Sequence, residues 1–203
     1  MSHCSQVTKR SGGFTLVELL ISMVIVAVLA TAFITFFSTS INQYLALHQD
    51  STNIGDLAIK SQRIAKILRG STDIISAAST DLSVYAYFTP LDTYVSQIRY
   101  YKNATGTVLL ADITPMTSNP PIGSPITASK QTYTIIDNFY SLPGVDTFQY
   151  LDSLNTPLPL PISDLKTIKG IQINLAEPFT TTIAQGSNPM SLIVSLRNRK
   201  TNL

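Results

Sequence analysis

Lys9-Arg10-Ser11-Gly12-Gly13-Phe14-Thr15-Leu16-Val17-Glu18-Leu19-Leu20 decides the architecture of this chain. A basic, polar leader ends at Gly13. The 24 residues from Phe14 to Phe37 are then apolar apart from Ser, Thr and one carboxylate, Glu18. As a helix rising about 1.5 Å per residue they reach roughly 36 Å, enough to cross a hydrocarbon core of about 30 Å. A charged side chain at membrane depth costs on the order of 2.5–3.5 kcal/mol, so it needs a partner or a task. No Lys or Arg lies between residues 11 and 59, so the partner does not come from this stretch of helix.

Gly13 followed by Phe14-Thr15-Leu16-Val17-Glu18-Leu19-Leu20 resembles the N-terminus of type IV prepilins and of type II secretion pseudopilins. The resemblance implies a prepilin peptidase and N-methyltransferase that cuts the Gly13–Phe14 bond and methylates the new amine of Phe14. It also implies that Glu18 pairs with the terminal amine of a neighbouring pilin or pseudopilin subunit as subunits leave the membrane. The chemistry is coherent, because cleavage removes Lys9 and Arg10 and creates a single cation at Phe14. Two lone charges in lipid then become one ion pair between molecules. An assembly platform in the membrane, and membrane lipid before assembly, complete the implied partners.

Two other readings compete. A secretory signal would use Leu16–Leu29 as its apolar region and Ala30-Thr31-Ala32 as its cleavage site. Glu18 interrupts that region, and the apolar character runs on through Phe33, Ile34, Phe36 and Phe37. A plain single-pass anchor satisfies the length but leaves Glu18 without a reason.

The chain has 203 residues, room for one ordinary domain beside an anchor. Its single cysteine, Cys4, lies in the leader, so the processed chain has no internal disulfide and relies on packing, unlike many pilins. Two of the 14 basic residues leave with the leader, so 12 remain against 12 acidic ones. A neutral chain has no general electrostatic drive toward nucleic acid. The basic flank predicts that the C-terminus lies outside, and the resemblance implies a bacterial inner-membrane protein that later joins a surface or periplasmic filament.

No proline occurs between residues 14 and 89, and Gly70 follows the basic turns ending at Arg69, so a helix from Thr15 to Arg69 is expected. It would be roughly 80 Å long. In its second half Ile54, Leu57, Ala58, Ser61, Ile64, Ala65 and Leu68 share one face, while Lys60, Arg63, Lys66 and Arg69 take the other. Ile41, Tyr44, Leu45 and His48 point nearly the opposite way. The phase changes over Asp50–Asp56, where a bend or a break competes with continuity. The membrane segment lacks the proline that many major pilins carry there, which favours a minor subunit.

After residue 71 the period becomes two. Strands are expected at Leu82–Phe88, Val95–Lys102, Thr107–Ile113, Thr132–Ile136, Thr147–Leu151, Thr167–Leu175 and Met190–Arg197. Asn103-Ala104-Thr105-Gly106 reads as a hairpin turn, although it also fits a glycosylation sequon. Thr114–Pro125 and Asn155–Pro161 are too proline-rich for a sheet and read as surface loops. The fold class is therefore α+β and pilin-like: a long helical spine, half transmembrane and half packed on an antiparallel β-sheet head. Its parts are a leader (1–13), a transmembrane and polymerisation helix (14–37), its amphipathic continuation (38–70) and a β-rich head (71–203).

Phe148-Gln149-Tyr150-Leu151-Asp152, Ile168–Leu175 and Val194-Ser195-Leu196-Arg197-Asn198 look similar to the ending of J-type minor pseudopilins and W-type minor pilins. That implies a scarce subunit that helps to start or cap a filament. Competing functions are a major pilin, or a filament-displayed module that binds DNA or a surface. An enzyme is not expected. His3 and His48 are the only histidines and Cys4 the only cysteine, too few for zinc clusters or histidine triads. No cofactor or metal is expected either: Asp137, Asp146 and Asp152 lack the spacing of an EF-hand and read as turn or surface residues. The basic run Arg197-Asn198-Arg199-Lys200 reads as a frayed, solvated tail.

Overall fold

The computed structural model describes residue 13, residues 15–179 and residues 186–197. One helix, α1 (Leu16–Arg69), takes up 54 of these residues and runs through Asp50–Asp56 without interruption. Its last turn tightens, with the Gly70 N–H donating to Ile67 O (3.1 Å) and the Ser71 N–H to Leu68 O (3.0 Å). These three-residue closures satisfy carbonyls that a helix end otherwise leaves open. Gly70 thus stops the helix without the left-handed conformation usual for a terminal glycine. The chain divides into two compact units between Ala46 and Leu47.

Beyond the helix every strand pairing is antiparallel. β1 (Asp73–Ala77), β2 (Asp81–Ala86), β3 (Ser96–Lys102), β4 (Leu109–Pro115) and β5 (Gln131–Ile136) form a five-stranded meander in chain order. β6 (Phe148–Leu151), β7 (Gly170–Pro178) and β8 (Ser187–Ser195) form a second sheet, again in order. The α+β, pilin-like architecture expected from the sequence is the one observed.

Alternation sets the register. Leu82 lies opposite Tyr100, and Val84 opposite Ile98. Tyr100 in turn faces Ala111, and Ile98 faces Ile113. These rows are buried and merge with Leu57, Ile64 and Leu68 of α1 and Ile171, Ile173, Leu175 and Val194 of the second sheet into one core. Burying one such side chain contributes about 1.5–3 kcal/mol. The phenol of Tyr150 ties the sheets together, donating to Ala78 O (2.8 Å) and lying 3.2 Å from Asp81 O. Burial raises its pKa, so the donor stays protonated.

Four expectations need correction. Ile54 is 44% exposed, whereas Ile67 is buried. Ile54 lies within the angular span of the buried positions but a turn before Leu57, whereas Ile67 sits at the margin of that face and lines the same depression as Phe88, over whose ring the Arg63 guanidinium lies at 5.2 Å. β1 was not expected; only one of its five residues, Ile74, is buried, so its own pattern carries little signal. Its pairing with β2 makes it a strand, with a register shift between Ile74 and Ser76. Asn174 is buried rather than solvent-facing, and its amide donates to Asp146 O (2.8 Å).

The Thr114–Pro125 stretch begins inside β4, since Thr114 and Pro115 close that strand. Past them it folds back as a tight excursion. Met116 bridges to Pro125, the Thr117 N–H donates to Ser124 O, and Asn119 Oδ1 accepts the Val95 N–H at 3.0 Å. A Cβ at Gly123 would fall 1.8 Å from Ser118 O, so only glycine fits there.

Candidate functional site at the N-terminal motif

Thr15 starts α1 as its cap. Its hydroxyl accepts the backbone N–H of Glu18 (3.3 Å), and its carbonyl accepts that of Leu19 (3.2 Å). The Thr15-Leu16-Val17-Glu18 spacing is that of a capping box, a signal readable in the sequence but not used there. It places Glu18 in the first turn. A carboxylate at that end of a helix contributes about 0.3–1 kcal/mol. That is less than the roughly 2.5–3.5 kcal/mol cost of charge at membrane depth, so the cap alone does not account for Glu18.

The surroundings of Glu18 are apolar and uncovered. From Leu16 to Thr39 every residue of α1 is exposed. Among the described residues, α1 is the one helix long and apolar enough to cross a membrane. The carboxylate of Glu18 makes no hydrogen bond or ion pair among the described residues. The hydroxyls in the apolar run are handled differently. Ser22 donates to Glu18 O (2.7 Å), Thr31 to Val28 O (2.8 Å) and Ala27 O (3.1 Å), and Thr35 to Thr31 O. Each returns its proton to a carbonyl of the preceding turn, so no hydroxyl of this set demands water. Glu18 is the exception.

Gly13 is exposed, and a Cβ built on it would meet nothing within 4 Å. Among the described residues, nothing near this position requires glycine. Phe14, the leader with His3 and Cys4, and Asn198–Lys200 of the basic tail lie outside the described residues.

The remaining candidates have local structural roles. Asn103 Oδ1 accepts the N–H groups of Thr107 and Val108, and its amide donates to Thr105 Oγ1 (2.8 Å), so the sequon is a built turn with Gly106 at φ 72°. Asp152 Oδ1 accepts the N–H groups of Leu154 and Thr156. His48 is on an exposed position of α1. Among the described residues no cluster of three or more His, Cys, Asp or Glu is placed to hold a metal ion.

Residues 8–34 match the family model described as the prokaryotic N-terminal methylation motif. The match spans Gly13, Phe14 and Glu18 together with the apolar first half of α1, and it supports a type IV pilin-like, processed subunit. With the apolar helix it also supports an inner-membrane anchor. Among curated proteins, no match to the chain is found.

Proposed function

We propose that this protein is a structural subunit of a type IV pilus-like filament, and specifically a minor pilin or pseudopilin that helps to start or cap it. The observation that carries this reading is Glu18, an exposed carboxylate without a partner among the described residues, in the first turn of an apolar helix beside the methylation motif. Prepilin peptidase cuts Gly13–Phe14 and methylates the Phe14 amine, while Lys9 and Arg10 hold the leader on the cytoplasmic side. In lipid the carboxylate and the new amine are each costly. Brought together between two subunits in a low-dielectric environment, each becomes the other's counterion. Polymerisation is then favourable because it removes two lone charges at once.

The minor role is supported by the sequence of the strand carrying Phe148 and Tyr150 and of the strand carrying Ile171, Ile173 and Leu175, which resembles the J- and W-type endings. The head is a packing unit in this reading and not an enzyme. Terminal sequencing and mass spectrometry of the native protein should give N-methylated Phe14. Gly13→Leu should leave the leader attached. Glu18→Val should still be cut but should disappear from sheared filaments; normal incorporation of that variant would sink the ion-pair role. Subunit stoichiometry in purified filaments tests the minor assignment, with a bulk share of the polymer counting against it.

A further inference from the structure

The end of α1 and the β2–β3 connection enclose a furrow that the N-terminal motif does not explain. Three depressions of about 180, 400 and 360 Å³ follow one another. The first two share Arg63, Ile67 and Phe88, and the last two share Tyr87. Such a connected length suits an extended chain better than a compact small molecule. The floor is apolar, and Gly70 leaves the central depression without a side chain on that wall.

Its charge is one-sided at the helix end. Lys60 is neutralised by Asp56 (2.6 Å) and Glu177 (3.7 Å). Arg63 and Lys66, both exposed, make no ion pair among the described residues. The Arg63 guanidinium lies over the Phe88 ring, 5.2 Å from its centre, and keeps its full charge for a carboxylate. Tyr87 is 41% exposed, and its hydroxyl makes no hydrogen bond among the described residues.

We infer that this furrow binds an extended segment of another polypeptide that pairs carboxylates with an apolar side chain. The carboxylates meet Arg63 and Lys66, and the apolar group sits between Ile67, Phe88 and Pro90. A single-stranded nucleic acid fits less well. It needs open aromatic faces for its bases and a track of cations, but Phe88 is already engaged by Arg63 and by Tyr133, whose ring centre is 5.4 Å away. Asp73 also lines the far depression, where a phosphate would be repelled. The inference uses only residues beyond Leu47 and stands apart from the reading of the N-terminal motif.

The test is photocrosslinking of the full chain in the producing cells, with p-benzoylphenylalanine replacing Tyr87 and mass spectrometry of the adduct. The expected adduct is a peptide carrying at least two carboxylates beside an apolar residue. Lys66→Glu, which leaves the Arg63–Phe88 stack in place, should lower its yield at least tenfold. Reversing a carboxylate of the captured segment to lysine should restore it. Adducts on nucleic acid or lipid only, no adduct, or a yield indifferent to Lys66→Glu would each overturn the inference. Unchanged thermal melting of the Lys66→Glu protein verifies that lost yield is not lost fold.

Discussion

Glu18 and Asp112 are both carboxylates flanked in sequence by apolar residues, one in the first half of α1 and one in the five-stranded sheet, and the structure surrounds them in opposite ways. Asp112 is 4% exposed and accepts from Lys130 Nζ (2.6 Å), Thr132 Oγ1 (2.7 Å) and Tyr101 Oη (3.2 Å). Burial alone would push its pKa up; the hydrogen bonds from Lys130, Thr132 and Tyr101, with the attraction of Lys130, outweigh this and lower it. Glu18 has no such set among the described residues. Where the chain supplies its own donors a buried charge is architecture. Where the described residues supply none, as at Glu18, the proposed function gives the charge its counterpart on a neighbouring subunit.

The contrast breaks most directly at Glu18. Glu18→Gln keeps the shape and the capping position but removes the charge, and filament incorporation should fall by an order of magnitude or more while the melting of the β-rich unit stays unchanged. Retained incorporation would place Glu18 with Asp112 as a structural group.

A second test applies one truncation to both halves of α1. Leu68 is fully buried, and Leu68→Ala should destabilise the detergent-solubilised protein by about 2–5 kcal/mol in thermal or chemical unfolding. Leu29 is 54% exposed, and Leu29→Ala should leave that transition in place. A shift at Leu29 would show that its side chain contributes to that transition.

Asp112→Asn sharpens the comparison from the other side. Hydrogen bonds to charged groups contribute about 1.5–3 kcal/mol, so a loss of that order is expected near neutral pH. The folded pKa is depressed, so the stabilisation is present above the ordinary carboxylate range and fades as pH falls through the folded value. The gap between wild type and variant should therefore close in acid. Glu177 has the reverse sign. Burial raises its pKa against the pull of Lys60, so its ionised form costs stability as pH rises through that value. Glu177→Gln is expected to be neutral or slightly stabilising at neutral pH. The smallest effect belongs to Ile54→Ala, which should change stability by less than about 0.5 kcal/mol because the side chain is exposed.

Much of the architecture was legible because its signals are periodic or local. The helix ends at Arg69 as its composition suggests, and the hairpin around Asn103–Gly106 forms with Tyr101 opposite Leu110. β1, Asn174 and the exchange of Ile54 for Ile67 were not legible, since each depends on what lies across from it. The furrow is the clearest case. Arg63 and Lys66 read as an ordinary solvated stripe until Phe88 and Tyr87, some twenty residues later, are laid beside them.

The order of residues alone set the apolar length of the first half of α1, the lone acid within it and the glycine before it, because the bilayer's thickness and dielectric act on consecutive residues whatever the rest of the chain does. Only the folded state decided which faces of the second half of α1 are covered, which polar groups find donors and where a partner can lie. Those outcomes depend on pairings between residues distant in the chain, and no local pattern encodes the neighbour that a strand or a helix face will meet.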